Sequence, residues 1–356
     1  MNSYNIESVL CQLDIPQKII EYNVIDRSRE DEDRFICIVK TDNNQSYVVK
    51  FYKNNYDTIE KVNGWAKLAI IYKQQQINVP EFKKFSDGNY AILKEFEGKE
   101  YLIWVEDYLS GKTLDDLNLG EHISEKLFEQ LGKYLGRMHT AAKDKNLKFN
   151  WNSAWVLFDK FCKEDEFDEN YLNAYTLYTE LKKMSVNHDI LEKIWKNYNE
   201  IRERIKIGYD ILPNGAIQGD LSTNNILVDT NHSLCGIIDF NIGGNDVFVN
   251  HMLQEGIFLA YWSDDFWNTE EELLEMEGKL SKFLEGYCEN YKLSHEEKEK
   301  MNDLYQIIRP FRMEKVYPTI RIAGEASIQE VNKRLDWIYS EMQKPFTIKS
   351  SASALL

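Results

Sequence analysis

AIQGDLSTNNILVDTNHSLCGIIDFNIGG, residues 216–244, sets two short apolar runs among carboxylates and amides. Ile226-Leu227-Val228 and Ile237-Ile238 are short apolar runs, and Thr230-Asn231-His232-Ser233 between them is turn chemistry. Pairing the two runs as a hairpin centred near His232 predicts that Asn225 lies opposite Asp239, so that an amide and a carboxylate meet at one end. Asp220 then sits on the loop that enters the first strand. Hard oxygen ligands at this spacing suit Mg2+, which keeps several waters and shares its remaining positions with nucleotide phosphates. Asp220 is left to accept a proton from a substrate hydroxyl. Each residue taken alone has a plainer reading, because Asn and Asp beside a hairpin often bond their own backbone. Their order is harder to set aside: Asp-x4-Asn, an apolar strand, a turn, a second apolar strand and Asp-Phe follow one another.

Upstream, residues 34–40 (RFICIVK) and 46–52 (SYVVKFY) are rich in β-branched and aromatic residues, with Asp42-Asn43-Asn44-Gln45 as the turn between them. A helix fits residues 58–76, where Trp65, Leu68, Ala69 and Tyr72 share a face, and Val79-Pro80 closes it. A second hairpin fits residues 90–96 and 101–108, turning at Gly98. Beyond Ser110-Gly111 helical spacing takes over, at 128–142, 171–184 and 190–207, and again from about 250 to 342. Strand signals return only at 225–229 and 234–240. The expectation is an α+β chain: an antiparallel sheet with one helix over residues 1–107, a mainly helical part over 108–345, and a loose tail at 346–356.

The bulk composition excludes several classes. At 43% hydrophobic and 29% charged residues the chain is too apolar for disorder. A net charge of −16 argues against a nucleic-acid partner, since phosphate attraction needs a basic surface. The five cysteines, Cys11, Cys37, Cys162, Cys235 and Cys288, are scattered and form no CxxC pair, which indicates neither a zinc site nor a disulfide framework. No signal peptide and no apolar run of membrane-spanning length is visible, so a cytoplasmic protein without a membrane partner is expected. Oligomeric state is not readable.

QGDLSTNNILVD followed by GIIDFNIGG resembles the catalytic and metal-binding motifs of the aminoglycoside phosphotransferase family, relatives of the protein kinases. Tyr47-Val48-Val49-Lys50 is similar to that family's nucleotide-lysine strand, and Ile77-Asn78-Val79-Pro80 to its helix-to-strand turn. Residues 107–114 (DYLSGKTL) resemble its linker, and Leu135-Gly136-Arg137-Met138-His139 the end of its first large helix. The resemblance implies a bilobal protein-kinase-like fold and a kinase that moves the γ-phosphoryl group of Mg-ATP to a hydroxyl of a small molecule. Asp220 would be the base, Asn225 and Asp239 the Mg2+ ligands, and Lys50 the contact to the nucleotide phosphates. Val48 and Leu227 would enclose adenine, and backbone groups of Asp107, Tyr108 and Leu109 would meet its edge. For Val48 and Leu227 plain core packing is an equal reading.

The chain also departs from the family pattern. Gln218 stands where His is usual and Asn241 where Gly is usual. Trp65 occupies the helix position expected to carry the glutamate that orients the lysine, so some other acid has to serve Lys50. The loop at 27–34 (RSREDEDR) holds no glycine and four acids, where a phosphate-covering loop is expected. The aromatic and acidic run at 261–267 (YWSDDFW) reads as helix packing or as a subsite for a cationic acceptor. An aminoglycoside-, choline- or homoserine-like acceptor fits the family equally, since fold does not choose substrate. A pseudokinase-like binding or scaffolding protein is the alternative.

Overall fold

A computed structural model of the chain describes residues 1–13, 18–120, 122–159, 168–325 and 328–346. Cys162 and nearly all of the expected tail lie outside them. The chain divides into two compact units: Met1–Thr113 with Asn224–Asn231 and Cys235–Asn241, and Leu114–Thr223 with His232–Leu234 and Ile242–Leu356.

The first unit opens with a helix that the sequence reading did not contain, α1 (Ser3–Leu10), capped by Asn2. Strands β1 (Ile19–Asp26), β2 (Asp33–Thr41) and β3 (Ser46–Lys53) follow, then α2 (Ile59–Gln74), β4 (Ala91–Phe96), β5 (Lys99–Asp107) and the short β6 (Lys112–Thr113). The first five strands form one antiparallel sheet in the order β1-β2-β3-β5-β4. Phe96 pairs with Lys99, so Glu97 (φ 53°) and Gly98 (φ 75°) make a two-residue turn that needs left-handed backbone at both positions. Tyr47, Val49 and Phe51 of β3 join Ile6, Val9 and Leu10 of α1 in one apolar cluster. Alternation along the strand therefore turns Val48, Lys50 and Tyr52 to the opposite face.

In the second unit α3 (Glu125–Asp144), α4 (Glu169–Leu181) and α5 (His188–Lys206) lead to β7 (Asn214–Ile217). β8 (Ile226–Val228) and all of β9 (Leu234–Ile237) but Leu234 belong to the first unit and lie in one sheet with β6, in the order β6-β8-β9; the chain then re-enters the second unit. β10 (Gly244–Val247) pairs antiparallel with β7, and α6 (Phe248–Ala260), α7 (Glu270–Cys288), α8 (His295–Ile308), α9 (Met313–Glu325) and α10 (Ile328–Gln343) complete the unit. α6 is apolar on nearly all sides and correspondingly buried. α7 and α8 each begin with a capping box, Thr269 with Glu272 and Ser294 with Glu297. α3 and α7 approach so closely that a Cβ at Gly132 would stand 1.9 Å from Phe283 O, and one at Gly286 would stand 2.1 Å from Glu129 O. No described helix is long and apolar enough to cross a membrane.

Candidate active site

Lys50 is 5% exposed, and two carboxylates meet its ammonium group. Nζ lies 3.3 Å from Asp239 Oδ1 and 3.2 Å from Glu106 Oε1. Burial works against the lysine charge, but the Asp239 and Glu106 carboxylates outweigh it and hold the pKa above the ordinary lysine value. Glu106 is 3% exposed, and its other contact is the Trp104 indole, whose Nε1 donates to Oε1 at 2.7 Å. Burial raises the Glu106 pKa, while the lysine pulls it back.

Glu106 stands in for the acid that α2 lacks at the position of Trp65. Trp65 of α2 is buried with its ring 6.2 Å from that of Trp104, and Tyr52 meets Trp104 edge-on at 4.6 Å. The aromatic wall fills the helix side of the lysine, and the carboxylate comes from the neighbouring strand. In the register Lys50 faces Trp104 and Val48 faces Glu106, so lysine and glutamate are diagonal cross-strand neighbours. Nothing in the spacing of α2 announces this; the signal lay in an acid within the apolar run of β5.

Asn225 and Asp239 are drawn together by the backbone. Ile238 N–H donates to Asn225 O at 2.9 Å, which seats Asn225 beside the residue preceding Asp239. Phe240 then anchors the segment between Tyr72 and Phe82, with ring centroids at 6.2 and 6.0 Å. The left-handed backbone of this segment falls on Asp239 itself (φ 60°), a conformation aspartate tolerates better than most residues. The Asp239 side chain keeps 21% of its surface, and Lys50 meets its Oδ1. An amide and a carboxylate are hard oxygen donors and fit Mg2+, with phosphates and water for the rest of its shell.

Two of the three backbone N–H groups at the end of β5 are already engaged. Asp107 N–H donates to Glu81 O and Tyr108 N–H to Ser46 O, at 3.0 and 3.1 Å, while the Asp107 carboxylate pairs with Lys83 at 2.8 Å. Leu109 N–H donates to none of the described residues. Val48 is half-buried and Leu227 5% exposed, each in the first unit. Two of the four acids of the loop, Glu32 and Asp33, meet cations and hydroxyl donors. Glu32 receives Arg34 Nη2 at 3.1 Å and the Tyr56 hydroxyl, and Asp33 receives Lys99 Nζ at 2.7 Å and the Tyr101 hydroxyl at 3.1 Å.

Asp220 belongs to the second unit, on a loop whose main chain is held by side chains. The Gln218 amide donates from Nε2 to Asp220 O and accepts Asp220 N–H at Oε1, both at 2.8 Å. Both ends of one amide group thus clamp the residue. Ser222 N–H donates to Asp220 Oδ1 at 3.0 Å. Asp220 lines a cavity of about 160 Å³ with Trp155, Phe258, Phe311, Glu169 and Glu314 among the other walls. Burial, helped by Glu314 and Asp168, pushes the Glu169 carboxyl up to about 7. The run at 261–267 does not join this cavity. Asp264 is occupied by Arg309 and Lys315 at 3.3 and 3.2 Å, so its charge serves packing.

A sequence model described as the phosphotransferase enzyme family, APH, matches residues 32–304. The chain belongs to the APH family. It is an enzyme of the kinase and phosphotransferase class, with the protein-kinase-like fold of that family. Among solved structures, an amicoumacin kinase in complex with AMP-PNP and Ca2+ superposes with a TM-score of 0.57 at 14% identity, over 97% of this chain and 95% of that one. A microcompartment-associated aminopropanol kinase gives 0.55 at 13% identity, over 96% and 95%. An aminoglycoside phosphotransferase from Alicyclobacillus acidocaldarius gives 0.54 at 10%, over 94% and 92%. At these identities the likeness is one of fold. No curated protein matches this APH-family chain in sequence.

Proposed function

We propose that the protein transfers the γ-phosphoryl group of Mg-ATP to a hydroxyl of a small, amine-bearing molecule, with Asp220 as the base. The observation that carries this reading is the cavity in which Asp220 shares the wall with Glu169 and three aromatic rings, while Glu314 is paired with Arg312 of the same wall at 3.3 Å. Carboxylates and ring faces both favour an ammonium group. In the transfer Asp220 takes the hydroxyl proton, the oxygen bonds to the γ-phosphorus, and the bond to the bridging oxygen breaks, releasing ADP.

Lys50, steadied by Glu106, meets the nucleotide phosphates, and Asn225 and Asp239 hold the metal. Mg2+ bound there neutralises phosphate charge. Val48 and Leu227 enclose adenine, with Leu109 N–H as the donor to its edge. Trp65 and the acidic loop are the features that would suit the binding-only alternative. Against it, Glu106 gives Lys50 a carboxylate, and Glu32 and Asp33 of the loop have their own partners.

The test is ATP consumption across amino alcohols, aminoglycosides and neutral sugars, with Asp220→Asn alongside. Turnover of amine-bearing acceptors that falls away in the variant is expected; undiminished turnover there rules Asp220 out as base. Mg-ATP should also raise the melting temperature of the wild type and not of Asp239→Ala. A protein that binds no nucleotide at millimolar Mg-ATP ends the reading.

A further inference from the structure

Behind the Asp220 loop the second unit buries a row of polar groups that phosphoryl transfer does not itself require. Tyr287 Oη lies 2.8 Å from His139 Nδ1, His139 Nε2 lies 2.8 Å from His251 Nδ1, and His251 Nε2 lies 3.0 Å from Glu255 Oε1. The other oxygen of Glu255 accepts the backbone N–H of Leu221, the residue after Asp220, at 3.1 Å. All four side chains are essentially buried, and they come from α3, α6 and α7. Burying so many polar groups is tolerable only when each has a partner.

The chain has a direction. A carboxylate only accepts, so His251 Nε2 carries the hydrogen facing Glu255. Burial, and next the His251 ring, hold the His139 pKa well below the ordinary histidine value, so His139 is uncharged. In the matching tautomer Tyr287 donates to His139 Nδ1, His139 Nε2–H to His251 Nδ1, and His251 Nε2–H to Glu255.

Ordinary core satisfaction explains such a chain up to Glu255 but not its end point. Three consecutive loop residues have a backbone group held by a side chain. Trp155 Nε1 donates to Gly219 O at 2.5 Å, Gln218 clamps Asp220, and Glu255 takes Leu221 N–H. We infer that Glu255 is a positioning residue. It fixes the Asp220 loop through Leu221 N–H and is itself fixed by the His251–His139–Tyr287 chain, so that three helices set where the carboxylate of Asp220 stands. The effect on catalysis rests on the proposed role of Asp220; the mechanical link does not.

Amide hydrogen exchange of Leu221 tests the link without any acceptor. Glu255→Ala, checked by circular dichroism to be folded, should speed that exchange by about ten- to a hundredfold, the loss of one hydrogen bond to a charged group. Glu255→Gln should keep the protection. Its oxygen still accepts Leu221 N–H, its amide donates to His251 Nε2, and both rings reverse tautomer along the chain. His251→Phe preserves ring volume, cuts the chain and should raise the exchange less than Glu255→Ala. With an acceptor that turns over, Glu255→Ala should lower kcat by about a hundredfold at unchanged KM for ATP, and Glu255→Gln should restore most of it. Unchanged Leu221 exchange in folded Glu255→Ala and His251→Phe overturns the inference, as does a Gln variant as impaired as Ala. Absence of turnover with every acceptor counts against the phosphotransferase reading instead, and leaves the exchange result standing.

Discussion

A buried lysine held by two carboxylates is costly to disturb from either side. Removing Glu106 leaves the Lys50 ammonium with Asp239 alone and strips the Trp104 indole of its acceptor. Glu106→Ala should therefore destabilise the protein by about 3 kcal/mol in chemical denaturation, the low end for breaking a buried pair. Glu106→Gln should cost less, because it still accepts from Trp104. Glu169 makes a prediction about pH. Its folded pKa of about 7 stands above the ordinary 4.5, so between those values the folded protein holds a proton that the unfolded chain has lost. Its contribution to stability is thus lost as pH rises from 4.5 to 7. An ammonium acceptor needs the ionised form, so KM for an amine should rise as the pH falls below about 7, and Glu169→Gln should flatten that profile. A neutral acceptor should show no such slope. Lys50, Asn225, Asp239 and Asp220 are visible in sequence because they sit in short ordered motifs. Glu106 and Glu255 are not, since their roles arise from a cross-strand diagonal and from a backbone amide 34 residues away.

At the scale of elements, the contact of α3 with α7 is made by absent side chains. At Gly132 an added methyl would overlap the backbone at Phe283, which no rotamer change relieves. Alanine gains roughly 1 kcal/mol of helix propensity over glycine, but overpacking against main chain costs about 1–3 kcal/mol. Gly132→Ala should accordingly lower the melting temperature. Gly278, on the same α7, has only Glu125 Oε1 at 3.8 Å, so Gly278→Ala should raise it. The two hairpins, α2 and the long helices were legible from alternation and helical spacing. β1 has only half-buried and exposed residues, and α1 is a short helix at the start of the chain. β7 and β10 are four residues each, with glycine and asparagine that no strand template favours, and form because they pair with one another.

For the whole molecule, a net charge of −16 and an apolar share of 43% set the class and little more. They agree with the family to which the chain belongs and do not single out a site within it. What composition and local pattern do not reveal is the interleaving of the units, because it depends on contacts over a hundred residues apart. The first unit draws on 224–231 and 235–241 as well as on 1–113. During synthesis the five-stranded sheet is thus complete in sequence long before Asp239 and Phe240 exist. At roughly 5–20 residues per second the ribosome leaves Lys50 with one carboxylate for about 7 to 27 seconds. Nascent chains stalled at residue 150 should be cleaved readily by protease near β3 and α2, and chains stalled well past residue 241 should resist it; equal resistance at both lengths would mean the early sheet needs no later strand to become firm.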